Sequence, residues 1–364
     1  MRHKIRFTLE KISRRQTEIE GLVYQKRKPL PLFSYRELEG PGLPLDEISD
    51  LTVDWEEIPS GSYWVLPRTN FILATNFSIP AAWKEGGRAA LYLPIGIAGD
   101  FSHPEALVYI DGKEYASCDR HHQEVILPAE FCDGRVHSLT LAGWSGIGGS
   151  TMGDMKNRLK MGSCEAVQIH PETRAFLAAS RVAAGIAKHL DSQDPAYYQI
   201  LTSLDEAFKM IDLRLPISEK FYHSITKAHQ CLLEGLTKAG PALNVDITAA
   251  GHAHIDVAWL WTLEQTRQKS RRSFTNVLRL LEQYPSFTFT QSQPQLYEYL
   301  IEDDPEMFQE IKARVEEDRW EPIGGMWVEA DCNISSGESL VRQFLLGREF
   351  FRDHFGPDAE SPVL

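Results

Sequence analysis

Cysteine is scarce in this sequence and irregularly placed. The five cysteines are odd in number, and no two of them are spaced as Cys-x-x-Cys. Disulfide-stapled domains use cysteines in even numbers, and thiolate zinc sites use closely spaced pairs. We therefore expect neither a disulfide framework nor a cysteine-bound metal.

Long apolar runs are also missing. No segment reaches the roughly 18 uninterrupted apolar residues that a membrane-spanning helix needs. The basic N-terminus, MRHKIRFTLEKISRRQ, lacks the apolar stretch of a secretory signal, and its acidic Glu10 is atypical of an organelle presequence. The sequence predicts a cytoplasmic protein.

Positive charge is in deficit, because 38 lysines and arginines face 51 acidic residues and leave a net charge of −13. Nucleic acids and anionic membranes attract proteins through clustered lysine and arginine. We therefore expect neither as a partner, whereas an uncharged small molecule such as a sugar is compatible with the composition.

Short β-rich runs fill the region from about residue 62 to 145. Runs such as ALVYIDGKEYA and HSLTLAGWS are separated by Gly, Pro and Asp-Gly, a pattern typical of an antiparallel sandwich. The Asp111-Gly112 pair predicts a hairpin. We interpret Trp64, Trp83 and Trp144 as core residues rather than a sugar-stacking surface, because aromatic side chains are mostly buried.

Helical patterns lie on both sides of these runs. Residues 3–25 have the spacing of an amphipathic surface helix, and residues 171–240 are rich in Ala, Leu, Lys and Glu, which favours two or three helices. The pattern divides the chain into an N-terminal helix and linker (1–50), a β-sandwich domain (51–170) and a helical connector (171–240).

Strands and helices alternate from residue 241 onward. Three strands, which end near GHAHID, FTFTQSQ and GGMWVEAD, are each followed by a helical pattern. The first strand is predicted to be buried from residue 244 onward, and the helix after it to extend from Glu264 to Tyr284. This alternation is typical of parallel β/α units, but three are too few to close a barrel. Residues 241–364 are predicted to be the first part of a β/α catalytic domain. The expected fold class is a multidomain α+β protein with an N-terminal β-sandwich, a helical connector and an incomplete parallel β/α barrel.

The segment GHAHIDVAWLW carries the first candidate site. His252, His254 and Asp256 alternate, so they share one face of an extended strand. Two imidazoles and a carboxylate at the carboxyl end of a strand suit Zn²⁺, whereas a polar strand end without a metal is the alternative. The pattern does not choose between the two histidines. We expect Trp259 to be exposed, where it could stack on a sugar, and Trp261 to be buried.

The segment GGMWVEADCN carries the second candidate site. Asp331 follows a predicted strand and would reach the same edge, where an aspartate can bind a metal or act as a base or a nucleophile. Glu329 shares its face and is a secondary candidate. A solvent-facing acidic loop is the alternative. We interpret Arg342, on the following helix, as one half of a surface salt bridge.

Together the two segments resemble the α-mannosidases of glycoside hydrolase family 38. GHAHIDVAWLW is similar to the family's His-x-His-x-Asp motif with a following Trp, and GGMWVEADCNISSGESLVRQFLLG is similar to its nucleophile segment in the cytosolic and bacterial branch. The β-rich N-terminal region and the helical connector are similar to those of that branch. The resemblance implies a retaining glycosidase that removes terminal α-mannosyl residues from oligosaccharides in carbohydrate metabolism.

The resemblance also implies roles for individual residues. His254 and Asp256 are implied zinc ligands, with His252 adjacent but not ligating. Asp331 is implied to be both a zinc ligand and the catalytic nucleophile, and Trp259 to line the mannose subsite. The family's fourth zinc ligand and its general acid lie downstream of the residues present. We therefore expect an incomplete fragment of the enzyme that does not turn over a normal substrate by itself. A homo-oligomer is compatible with the sequence.

Two other functions remain open at the level of the sequence. A zinc-dependent amidohydrolase or deacetylase also uses a His-x-His motif at a first barrel strand, but it has no reason to carry GGMWVEAD or a preceding sandwich. A non-catalytic carbohydrate-binding protein would use the sandwich for glycan binding and would need no metal.

Overall fold

The computed structural model describes residues 8–41, 55–96, 103–147, 159–240 and 245–359. In these ranges the chain forms two antiparallel sheets with helices on one side, followed by a small parallel sheet with its own helices. The first part contains the strands β1 (Tyr24–Pro29), β2 (Phe33–Leu38), β3 (Glu56–Ile58), β4 (Tyr63–Val65), β5 (Asn70–Phe77), β6 (Arg88–Tyr92), β7 (Glu105–Ile110), β8 (Lys113–Cys118), β9 (Glu124–Leu127), β10 (His137–Trp144), β11 (Leu159–Lys160) and β12 (Glu165–Ile169).

These strands form a β-sandwich, as the sequence predicts. One sheet has the order β1-β12-β6-β9, the other has the order β3-β2-β5-β10-β7-β8, and β4 pairs separately with β11. A continuous apolar core, including Phe71 and Leu141 of one sheet and Leu91 of the other, lies between them. Such burial on one face of each sheet is what holds a sandwich together.

Two local predictions for this region are confirmed. The chain reverses between β7 and β8 at Asp111-Gly112, where both residues have positive φ, at 51° and 76°. Two successive positive φ values match the twist of a tight hairpin, and Asp-Gly adopts them readily. Trp64, Trp83 and Trp144 are buried, with 4%, 7% and 7% of their surface exposed. They are core residues and offer no aromatic surface to a sugar.

Strands β1 and β2 were not predicted from the sequence. Their segments, YQKRKP and FSYREL, are rich in charge. Strand β1 is an edge strand whose last four residues are exposed, and charges and a terminal proline are tolerated at an edge. Because these segments are rich in charged residues, they lack the alternation of apolar residues by which a strand is predicted from sequence.

Four helices pack on the outer face of the four-stranded sheet. They are α1 (Thr8–Glu20), α2 (Pro171–His189), α3 (Pro195–Met210) and α4 (Glu219–Ala239), as the helical patterns predict. Each later helix begins with a capping side chain: for example, Asp194 accepts a hydrogen bond from the backbone amide of Ala196 at 2.8 Å. A second core, including Ile12, Val167 and Phe176, joins the helices to the sheet.

The last part of the chain alternates strand and helix, as predicted. It contains β13 (Gly251–His252), α5 (Leu263–Gln283), β14 (Phe289–Gln291), α6 (Pro294–Asp303), α7 (Pro305–Glu316), β15 (Trp320–Pro322) and α8 (Gly337–Phe355). The three strands are parallel in the order β13-β14-β15. Where the sequence predicted one helix, Pro305 begins a second, because proline cannot donate the hydrogen bond that would continue the first. No closed barrel forms within the described ranges.

The predicted length of the first strand is wrong. The sequence predicts a buried strand from residue 244 onward, but β13 contains only two residues, and Val245 and Ile247 are 63% and 84% exposed. In the described part of the chain β13 is an edge strand. Among the described residues, no strand pairs with the apolar residues before it, which remain exposed. None of the described helices is long and apolar enough to cross a membrane.

Candidate metal centre

Three loops leave the carboxyl edge of the parallel sheet. The first follows His252 at the end of β13, the second follows Gln291 at the end of β14, and the third follows Pro322 at the end of β15. Parallel strands direct all their carboxyl ends to one edge, which is where α/β folds place their functional groups. The two candidate segments of the sequence therefore meet at this edge.

Three side chains come together there: His252, His254 and Glu329. One ligand atom from each lies within 4.8 Å of the others, and all three residues are exposed. The imidazole of His254 also contacts two carboxylates, with its Nε2 3.0 Å from Asp256 Oδ1 and its Nδ1 3.5 Å from Glu329 Oε2. His254 is thus the central residue of the group.

The surroundings of this group hold its ligand atoms in orientations that suit a metal. His252 Nδ1 lies 3.0 Å from the backbone carbonyl of Thr290, which only accepts hydrogen bonds, so Nδ1 is the donor and Nε2 is the ring nitrogen that can face a metal. Ser292 Oγ donates to Glu329 Oε1 at 2.6 Å. Such outer hydrogen bonds are typical of metal ligands, and an open face suits a site that also admits a substrate. The residues fit a divalent cation such as zinc.

Gln293 connects the first and third loops, and the sequence analysis missed it. Its buried side chain donates through Nε2 to the carbonyl of Ile255 at 2.8 Å and accepts at Oε1 from the amide of Glu329 at 3.1 Å. Its backbone is left-handed, with φ at 66°, which is uncommon for a residue other than glycine. The only trace of this role in the sequence is a polar residue between a strand and Pro294.

Asp256 and Asp331 are not members of the three-residue group. Asp256 contacts it through His254. Asp331 is exposed, and its Oδ1 accepts from the backbone amide of Asn333 at 2.8 Å, so this carboxylate caps a turn of its own loop. Among the contacts of the described residues, none joins Asp331 to His254 or Asp256. The structure thus places Glu329, the secondary candidate, beside the two histidines, whereas Asp331 is not part of this group.

The two tryptophans of the first loop lie against each other. Their rings are T-shaped, with centroids 5.2 Å apart. Trp259 is 51% exposed, as predicted, but Trp261 is half-buried rather than buried. The indole Nε1 of Trp261 donates to the carbonyl of Asp256 at 3.3 Å, which keeps this ring at the surface of the loop. Arg342 forms a surface ion pair with Glu338 at 2.7 Å, as predicted.

The fold and the site define a candidate metal centre at the carboxyl edge of a parallel β/α sheet. Residues 244–362 match the family described as "Glycosyl hydrolases family 38 N-terminal domain". This segment of the chain is accordingly similar to the N-terminal domain of glycoside hydrolase family 38.

Curated relatives agree with this assignment. The chain is 47% identical over 110 residues to Alpha-mannosidase G of Dictyostelium discoideum, a match that covers 30% of this chain and 10% of the relative. It is 42% identical over 112 residues to Alpha-mannosidase of Saccharomyces cerevisiae, with coverage of 30% and 10%. It is 28% identical over 294 residues to human Alpha-mannosidase 2C1, with coverage of 76% and 28%. The matches thus span between about a tenth and about a quarter of the length of these relatives.

Solved structures show only a distant likeness. A β-glucuronidase from Lactobacillus rhamnosus aligns with a TM-score of 0.26 and 12% identity, over 40% of this chain and 28% of that chain. Similarity this low carries no conclusion about the function of the chain.

Proposed function

We propose that this chain contains the zinc-binding and nucleophile-bearing part of a retaining α-mannosidase that acts on terminal α-mannosyl residues of oligosaccharides. The observation that carries the proposal is the convergence of His252, His254 and Glu329 at the carboxyl edge of the parallel sheet. This edge lies within the segment that matches family 38, and curated relatives of the chain are named α-mannosidases.

His254 would be the principal metal ligand. It belongs both to the group that the structure brings together, with His252 and Glu329, and to the group that the family motif implies, with Asp256 and Asp331. Imidazole nitrogens and carboxylate oxygens are ordinary zinc ligands in either combination. Zinc, when bound, supplies a positive charge that can hold neighbouring hydroxyl groups of a mannose ring.

Asp331 is proposed as the nucleophile. An exposed carboxylate at the carboxyl edge of the sheet can attack the anomeric carbon of a sugar and form a glycosyl ester, which water later hydrolyses. Trp259 is proposed to bind the sugar, because its exposed ring can pack on the apolar face of a pyranose.

The remaining proposals concern the whole protein. We propose that the parallel sheet is the beginning of a β/α barrel, that the chain divides near residues 50, 170 and 240, and that the enzyme acts in the cytoplasm, with a homo-oligomer as a compatible assembly.

Zinc binding tests the metal centre. The purified chain is stripped with a chelator and titrated with zinc in competition with a chromophoric chelator, together with the variants His254→Ala, His252→Ala, Glu329→Gln, Asp256→Asn and Asp331→Asn. We expect His254→Ala to abolish binding. Losses in His252→Ala and Glu329→Gln would identify the group seen in the structure as the ligand set, whereas losses in Asp256→Asn and Asp331→Asn would identify the set implied by the family motif.

The matched control is His223→Ala, which removes an exposed histidine on α4. It should bind zinc as the unaltered chain does. Absence of zinc binding in the unaltered chain, or binding that survives His254→Ala, contradicts the proposed metal centre.

An activated substrate tests the nucleophile without requiring a general acid. In α-mannosyl fluoride the C1–F bond breaks as the Asp331 carboxylate bonds to C1, and fluoride leaves without a proton. We expect peptide mapping by mass spectrometry to find a mannosyl ester on Asp331, with none from α-glucosyl fluoride and none in Asp331→Asn. A label on another residue would refute the role of Asp331.

The comparisons and the structure give no support to the other two functions. The match to family 38 includes the GGMWVEAD segment, which an amidohydrolase or deacetylase does not explain. Trp64, Trp83 and Trp144, the sandwich residues that could have stacked on a sugar, are buried.

A further inference from the structure

Helix α5 connects the β-sandwich to the candidate metal centre. Glu105, at the start of β7, accepts hydrogen bonds from Lys269 at 2.5 Å and from Arg272 at 2.9 Å, both on α5. Burial alone would raise the pKa of Glu105, but the positive charges of Arg272 and Lys269 outweigh it and lower the pKa. Glu105 is therefore a largely buried anion that fixes two cationic side chains of the helix.

Lys269 faces the first loop of the candidate centre. Its Nζ lies 5.0 Å from the centroid of the Trp261 ring, a cation–π distance. The backbone carbonyl of Trp261 accepts from the amide of Trp259 at 3.2 Å, and its indole Nε1 donates to the carbonyl of Asp256. Through these bonds Trp261 closes the loop that carries both Asp256 and Trp259.

The loop does not hold this shape by regular secondary structure. Ala258, at its centre, has a φ of 64°, a conformation that residues with a side chain rarely adopt. Its amide donates to Thr266 Oγ1 of α5 at 3.0 Å. Helix α5 thus contacts the loop at two side chains, Thr266 and Lys269, which lie three residues apart and so on neighbouring parts of one helix face.

We propose that Glu105 of the sandwich is a positioning residue for the metal centre, acting through Lys269 and Trp261 on the loop that carries Asp256 and Trp259. The inference rests on the proposed function of this edge. It makes the sandwich part of the site rather than a separate module, because a carboxylate of the sandwich determines where a lysine of the β/α segment lies.

A second, largely buried carboxylate at the same interface provides a matched control. Glu114, on β8, contacts Arg271 at 2.6 Å and Thr275 at 2.7 Å, and both partners are on α5. Loss of this carboxylate also weakens the attachment of α5 to the sandwich. Among the described residues, Arg271 and Thr275 contact the sandwich, Asp304 and α5 itself rather than the loop of Trp261.

The experiment compares zinc affinity and thermal stability in Glu105→Gln, Lys269→Gln, Lys269→Arg and Glu114→Gln of the full chain. We expect Glu105→Gln and Lys269→Gln to weaken zinc binding by about ten-fold, in the range typical of groups that orient metal ligands. Lys269→Arg keeps the charge over the ring and should restore most of the affinity. Glu114→Gln should lower the melting temperature and leave zinc affinity unchanged.

A second readout follows Trp261 without any metal. The difference in tryptophan fluorescence between Glu105→Gln and the unaltered chain should disappear when both carry Trp261→Phe, because the change arises at that ring. If the unaltered chain binds no zinc, the metal centre fails as a proposal while this fluorescence comparison still decides the positioning role. If Glu105→Gln does not fold, the comparison of Lys269→Gln with Lys269→Arg decides it.

Two results would overturn the inference. Equal losses of zinc affinity in Glu114→Gln and Glu105→Gln would show that both carboxylates serve only to attach the helix. Unchanged fluorescence of Trp261 in both Glu105→Gln and Lys269→Gln would show that the charge pair does not act on the loop.

Discussion

The side-chain amide of Gln293 donates to the backbone carbonyl of Ile255 at 2.8 Å, inside the protein, where water cannot replace the bond. Ile255 lies between His254 and Asp256, so this single bond fixes the backbone of the candidate metal centre. The same side chain accepts a hydrogen bond from the backbone amide of Glu329, the third member of the group. Gln293 therefore determines how far apart the two candidate segments lie.

Substitution of Gln293 should destabilise the fold and weaken zinc binding together. Gln293→Ala leaves a buried carbonyl and a partly buried amide without partners, and we expect a loss of about 2–3 kcal/mol in the free energy of unfolding. Urea denaturation measures this loss. Gln230→Ala, which removes an exposed glutamine on α4, should change stability by less than about 0.5 kcal/mol. Equal effects of the two substitutions would show that the amide bridge contributes nothing.

Features that depend on neighbours in sequence could be predicted before the structure. Helix α5 was predicted from Glu264 to Tyr284 and extends from Leu263 to Gln283, because its apolar positions recur at the helical period. The hairpin at Asp111-Gly112 follows from the backbone freedom of those two residues. The parallel pairing of β13, β14 and β15 follows from their alternation with helices.

Features that depend on residues distant in sequence could not be predicted before the structure. The sequence placed Glu329 and Asp331 on one face of an extended segment, but after β15 the chain forms a loop in which Asp331 caps Asn333. Gln293, which lies 36 residues before Glu329, accepts a hydrogen bond from the backbone amide of Glu329. This contact helps to place Glu329, rather than Asp331, beside His254. The length of β13 likewise depends on which strand lies beside it, and no local pattern contains that information.

Removal of one hydroxyl from the core of the β/α segment should lower the stability of the protein. Tyr297 Oη accepts from the indole of Trp320 at 2.9 Å and donates to the carbonyl of Gln291 at 3.0 Å, and all three residues are buried. Tyr297→Phe leaves both partners unsatisfied, so we expect a loss of about 1–3 kcal/mol in the free energy of unfolding. Tyr63→Phe, at a residue 65% exposed, is the control and should be nearly neutral. Stability unchanged by Tyr297→Phe would mean that water or a shift of the indole replaces the bond.

An added methyl group at the base of the metal centre should disturb it. The Cβ of an alanine at Gly251 would lie 2.6 Å from Phe287 Cζ and 3.1 Å from Phe289 Cδ2, so β13 or the rings must move. We expect Gly251→Ala to destabilise the protein by about 1–3 kcal/mol and to weaken zinc binding, since His252 is the next residue. Gly185→Ala, inside α2 with open space around it, should instead stabilise the protein by up to about 1 kcal/mol. A stabilising Gly251→Ala would contradict this account of the strand.

The stability of the sandwich should depend on pH through His137. Its ring lies between two carboxylates, with Nδ1 2.7 Å from Asp111 and Nε2 3.3 Å from Asp133. Burial alone would lower the pKa of His137, but the hydrogen bonds to Asp111 and Asp133 outweigh it and raise the pKa.

A histidine whose pKa is raised on folding stabilises the folded state fully below its unfolded pKa of about 6.5, and this contribution is lost as the pH rises through the folded value. His137→Gln should therefore lower the melting temperature most near pH 5.5, and the deficit should shrink towards pH 8.5. His223→Gln, on the exposed face of α4, should show no such trend. A deficit that stays constant across this range would show that His137 stabilises the sandwich by packing against Phe77 and Phe131 rather than by its charge.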